Sequence, residues 1–198
     1  PATRPARARL DGTAVPAEAA APARIRGALS SGLSMAAGGL ERQAVASLVL
    51  AVRVVGPLQI ELVGVVPLTS SLTAGAAGSS RSSVWLGGGG LSTRVASRGP
   101  LGIDLGAGAM AVWLRASGAV APGAPPEVTA ATDAALGAAV HGRAGAALAI
   151  GRSVSVRADL FGGDVVRRPV VSLDGRTVAA AWGPAYLLAL IGLELRGL

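Results

Sequence analysis

The chain has no lysine, no cysteine, a single histidine and five aromatic residues among its 198. Without cysteine there is neither a disulfide nor a thiolate metal site, and His141 alone cannot furnish a histidine-ligated one. Five aromatics offer no platform for stacking bases. The formal net charge of +7 is carried by arginine. Residues 1 to 26 hold Arg4, Arg7, Arg9, Arg24 and Arg26 against Asp11 and Glu18, and the other arginines are spread without a basic cluster. The arginine-only usage, with its excess of Ala, Gly, Pro and Val, fits the codon bias of a GC-rich genome. A nucleic-acid partner is therefore not expected, and no cofactor is implied.

Long apolar runs are also missing. Residues 44–66 are interrupted by Arg53, Gly56-Pro57, Gln59 and Glu61, and the last apolar stretch meets Glu194. Neither reaches the roughly 18 residues that a spanning helix needs. Yet 51% of the residues are hydrophobic and the mean hydropathy is +0.55, too apolar for an ordinary soluble domain. Glycine (29) and proline (12) disfavour long helices. A chain that is too apolar for water and lacks a spanning helix can cross lipid only as a closed sheet.

Period-2 alternation supports that reading. Eight segments carry it, at about 25–36, 43–55, 58–69, 83–96, 101–115, 134–149, 153–163 and 185–197. Their connections run long, short, long, short, long, short, long. In an up-and-down barrel this puts the short turns at one rim and the long loops at the other, the asymmetry of outer-membrane barrels. Inside the last long connection, Asp174-Gly175 suggests a small hairpin. The expected fold is all-β, an eight-stranded antiparallel up-and-down transmembrane β-barrel over residues 24–198. Residues 1–23, rich in Pro, Ala and Arg and without an apolar segment, read as a disordered tether to a periplasmic partner or an upstream domain.

A hairpin fixes which residues face each other, because opposed positions have a constant index sum. A sum of 198 sets Arg94 against Asp104 and Trp85 against Trp113. A sum of 302 sets Arg143 against Asp159 and His141 against Phe161, and a sum of 114 sets Arg53 against Glu61. With Glu194 and Arg196 on the polar parity of the last strand, these charges form the candidate lumen set. The opposite parity is aliphatic, as in Leu48, Leu50 and Val52, or Leu187, Ile191 and Leu193. The polar parity is poor in charge for a water-facing sheet, which favours a narrow lumen with paired charges. Trp85, Trp113, Trp182 and Tyr186 all fall toward the long-loop rim and are expected to form an interface belt.

Residues 151–195, GRSVSVRADLFGG followed by RRPVVSLDGRTVAAAWGPAYLLALIGLEL, resemble the closing part of small outer-membrane barrel domains. Those domains are found in many predicted proteins of myxobacteria and related GC-rich bacteria. The resemblance rests on RP-VV---GR-VA--WG-P followed by an aliphatic last strand. By architecture it implies the outer-membrane protein A and X type, residence in the bacterial outer membrane, and a role in anchoring, adhesion or envelope stability.

Two other readings start from the same residues. A soluble or periplasmic barrel, lipocalin-like, would turn the aliphatic parity inward around a hydrophobic ligand. A lipid-modifying enzyme would need His141 to meet Ser153 or Ser155 and Asp159. Nothing marks a nucleophile, so His141 is expected to be one lumen residue among several. The run Gly87–Gly90 lacks the Lys-Ser/Thr and the helix of a phosphate loop and fits a bend in a barrel wall.

Overall fold

The computed structural model describes residues 25–38, 40, 42–75, 78–122, 132–173 and 177–197. Its strands are β1 (Ile25–Ala36), β2 (Gln43–Val55), β3 (Leu58–Pro67), β4 (Ser71–Gly75), β5 (Gly78–Arg98), β6 (Leu101–Val120), β7 (Thr132–Ala149), β8 (Val154–Arg167), β9 (Val170–Leu173), β10 (Thr177–Ala181) and β11 (Ala185–Arg196). No helix of the described chain is long and apolar enough to cross a membrane. The tether expected at 1–23 lies outside the described residues, as do residues 174–176 between β9 and β10.

Eight of these strands close a ring in the order β1, β2, β3, β5, β6, β7, β8 and β11, with β11 returning to β1. Every pairing is antiparallel, and the contact of β3 with β5 completes the circle. The expected eight segments are the eight ring strands, with four of them longer than the alternation indicated. β5, β6, β7 and β8 run on at the long-loop rim, and there β5 changes partner. Its Leu86–Thr93 stretch bonds to β3, while Gly78–Ser82 bonds to the short strand β4, within a connection that carried no strand signal. β9 and β10 pair as a separate hairpin.

Two of the three short turns have the same chemistry. Gly56-Pro57 and Gly99-Pro100 each form a two-residue loop, with Gly at φ +53° and +57°. A positive φ at the first position is free of strain only for glycine, and proline presets the second. Each turn is flanked by a bulge, at Arg53/Val55 and at Arg94/Ala96. The third turn spans Ile150 to Ser153, and its Ile150 and Gly151 amides both donate to the Val154 carbonyl, at 3.1 and 3.2 Å.

The two parities of the wall face opposite solvents. Outward stand Leu29, Leu62, Leu136 and Ile191, each more than 60% exposed, with Leu48, Leu91, Leu105 and Leu160 near half. Inward, the long-loop half of the lumen is packed with Val45, Val65, Val84, Val112, Leu114, Phe161 and Leu188, and Trp182 and Tyr186 lie over them. The short-turn half holds the buried charges. Eight strands leave an interior just wide enough for side chains, and here they fill it. The cavity among the charges is only about 10 Å³, at most the room of one water.

That tight closure depends on glycine where strands cross closely. A Cβ at Gly163 would run into the Val140 carbonyl oxygen of β7, whereas one at Gly142, on the outer face, would meet nothing nearer than 3.9 Å. Gly163→Ala is expected to lower the unfolding free energy by about 1–3 kcal/mol. Urea titration in detergent micelles should leave Gly142→Ala at the wild-type midpoint.

Candidate functional site

The chemistry-bearing residues collect in one layer of the lumen at the short-turn end. β1 contributes Arg26, β3 Gln59 and Glu61, β5 Ser92 and Arg94, and β6 Asp104. β7 contributes Arg143, β8 Arg157 and Asp159, and β11 Glu194 and Arg196. All sit on the inward parity of their strands, so the alternation that exposes Leu160 and Leu193 also buries Asp159 and Glu194.

Arg157 is the hub. It is 2% exposed, and its guanidinium reaches Asp159 at 2.8 Å, Asp104 at 2.9 Å, and Glu194. Asp104 also binds Arg94 at 2.9 Å and Arg26 at 3.4 Å, and Arg26 lies 3.6 Å from Glu194. Glu194 binds Arg196 at 3.0 Å. On the other side Arg143 bridges Asp159, at 3.0 Å, and Glu61. The Ser92 hydroxyl donates to Glu61 at 2.6 Å, and Arg26 donates to Gln59. Four carboxylates thus answer five guanidiniums. Arg94 and Arg196 stand at the rim with side chains 23% and 24% exposed. A buried charge is tolerated when its neighbours replace the water it gave up, and each carboxylate here accepts from at least two donors.

The expected pairs fare differently. Arg94 faces Asp104 and Trp85 faces Trp113, in the register expected from the sequence. Arg143 is opposite Phe161 instead, and Asp159 is opposite Gly145, because the third turn is longer than a sum of 302 allows. The slip is two residues, so the face is kept, and Arg143 still reaches Asp159 diagonally while its guanidinium lies 5.1 Å over the Phe161 ring. The Arg53–Glu61 pair does not form. The bulge after Arg53 sets it opposite Gln59 and sets Glu61 opposite Ala51, so Glu61 turns to Arg143 across the lumen. Trp182 and Tyr186 are not interface residues either. They are 2% and 5% exposed, with ring centroids 4.9 Å apart, inside the mouth. Tyr186 shares the parity of Leu188 and Glu194, which points it inward. Trp85 and Trp113 do face outward, 44% and 54% exposed.

Arg26, Gln59, Ser92 and Arg157 belong to the layer although no hairpin sum selects them. Their signal was parity alone, since their partners come from strands that share no short turn. Among the described residues His141 makes no hydrogen bond to a serine or an acid. It stands opposite Gly163 with its ring 5.5 Å from that of Phe161, while Asp159 and Ser155 face Gly145 and Ala149 further along β7, and Ser153 lies exposed in the third turn. Among the described residues no group of acids and His141 could hold a metal ion.

The fold is matched in known structures. The chain is similar to a major outer membrane protein from Thermus thermophilus, with a TM-score of 0.61 and 13% identity over 87% of this chain and 99% of that one. It is also similar to the Neisserial surface protein A, with a TM-score of 0.53 and 13% identity over 87% and 95%. The fold is that of the small outer-membrane barrels. No protein-family model matches the sequence, and no curated protein matches it.

Within such a barrel the charge layer is a structural plug, and its weight is unequally distributed. Arg157→Met takes one guanidinium away from three buried carboxylates at once and is expected to lower stability by about 3–5 kcal/mol. Arg196→Met, at the wet rim, should change it by no more than about 1 kcal/mol. Equilibrium unfolding of both variants in the same detergent checks the ratio.

Proposed function

We propose that the chain is an integral protein of the bacterial outer membrane, a closed and non-conducting barrel with a structural, anchoring or interaction role. The observation that carries this reading is the inversion of the wall: large aliphatic side chains cover its outside, and the charge layer around Arg157 lies inside with its four carboxylates all paired. Water is a poor solvent for such a surface, whereas bilayer hydrocarbon suits it. The sheet has no open edge within the ring, which satisfies the backbone where no water can.

A soluble barrel around a hydrophobic ligand is disfavoured by the same inversion and by the filled charge layer, whose cavity is only about 10 Å³. A hydrolase using His141 is disfavoured by the separation of His141 from Ser155 and Asp159 along β7. The anchoring role draws further support from residues 1–23, whose composition suits a tether to a periplasmic partner or to an upstream domain.

Leu62 tests the reading. It stands on β3, 61% exposed. Leu62→Arg should reduce the free energy of folding into phosphatidylcholine vesicles by about 2–4 kcal/mol. On a water-facing wall the same change would be neutral and would improve solubility. Planar bilayers carrying the folded wild-type chain should show no single-channel conductance.

A further inference from the structure

Among the described residues, two arginines on the outer wall have no acid to answer them. Going toward the long-loop end, the outward rows of β5 and β6 are Gly87 opposite Ala111, Trp85 opposite Trp113, Ser83 opposite Arg115, and Arg81 opposite Ser117. Arg81 and Arg115 are exposed. They are diagonal neighbours, a placement in which like charges repel. Among the described residues neither has a hydrogen bond or ion pair. Their flanking partners are apolar: Leu72 of β4 stands opposite Arg81, and Ala134 of β7 opposite Arg115. The nearest acid along β7, Asp133, stands opposite Ala116 on the other parity, with Oδ1 accepting from the Ala134 amide at 2.7 Å.

The depth of this pair in the wall is defined by its neighbours. On β6 the outward residues from Leu101 through Ala111 are all apolar, Trp113 ends the series, and Arg115 is the next outward position. Tryptophan at such a boundary occupies the level of lipid headgroups. Two guanidiniums and two serine hydroxyls therefore converge at headgroup height, immediately above an aromatic pair and a smooth apolar wall. Guanidinium forks bind phosphate oxygens well, and the apolar face directly below suits acyl chains rather than water. A soluble anion would use the upper half of this surface and leave the lower half unexplained.

We propose that Arg81, Arg115, Ser83 and Ser117, with Trp85 and Trp113 beneath them, form a headgroup site for an anionic lipid bearing a phosphate monoester, in the leaflet at the long-loop end. The proposal rests on the membrane reading above.

Trp85 and Trp113 supply the probe, because lipids brominated on the acyl chain quench tryptophan on contact, while the buried Trp182 gives a constant background. The full chain is folded into phosphatidylcholine vesicles containing brominated phosphatidic acid or, at equal mole fraction, brominated phosphatidylcholine. Quenching by the phosphatidic acid is expected to exceed that by the phosphatidylcholine at least about threefold. R81Q/R115Q should bring the ratio to about one, while R98Q/R152Q, which removes two exposed arginines of the short turns, should leave it unchanged. Equal quenching of the wild type by both lipids, or a loss of preference in both variants, overturns the site and leaves the membrane reading standing. Loss of the preference in excess inorganic phosphate overturns the lipid assignment in favour of a free anion. Absence of quenching by either lipid overturns the membrane reading itself.

Discussion

The bond ladder between β3 and β5 is the contact on which the rest of the structure depends. Seven pairings of neighbouring strands would give an open sheet with two unsatisfied edges, exposed on both faces to hydrocarbon or to other chains. Pairing Leu58–Val65 with Leu86–Thr93 removes both edges. It also creates an inside, and only with an inside do the two parities of each strand acquire different solvents. β5 takes part because it is long enough to serve β3 below and β4 above.

The architecture was legible in the sequence to a degree that the individual contacts were not. Alternation located all eight ring strands, since a wall between two solvents imposes period 2 on every strand. It also assigned faces, and Leu160 outside with Asp159 inside follows from parity alone. Partners need the index sum itself, which turn length and bulges set, and a bulge is invisible in composition. At Arg94 the bulge restored the expected register; at Arg53 the two-residue turn already departs from the expected sum, and the bulge moves the strands one place further from it. Long side chains blur the distinction: Arg143, two places out of register, still holds Asp159. The layer's hub, Arg157, escaped detection for a different reason. Its acids come from β6 and β11 as well as its own strand, and no local rule of sequence connects strands that meet only through ring closure. Trp182 and Tyr186 were assigned by their height in the barrel, although for Tyr186 the parity of β11 already pointed inward.

The lumen is divided as sharply as the wall. Toward the long loops it is mainly apolar, with Phe161, Leu114 and Val112 fully buried beside Gln43, Ser47 and Ser82. Toward the short turns it is an ionic layer, and Phe161 sits at the border, touched by His141 on one side and by Arg143 on the other. An apolar plug excludes water from the ionic layer on one side and so strengthens each of its contacts, because the field of a charge is less screened where water is absent. The two halves are in this sense one device.

The ionic layer also bears on assembly. Arg26 comes from the first strand, Glu194 from the last, and Arg157 ties Glu194 to Asp104 in the middle of the chain. No contiguous part of the sequence can complete this set. A partly assembled sheet therefore carries buried-type charges that still require hydration, and its lumen stays wet until the final strand arrives. Expulsion of that water coincides with joining the two ends of the sheet, so the barrel commits to its closed form in one cooperative step rather than strand by strand.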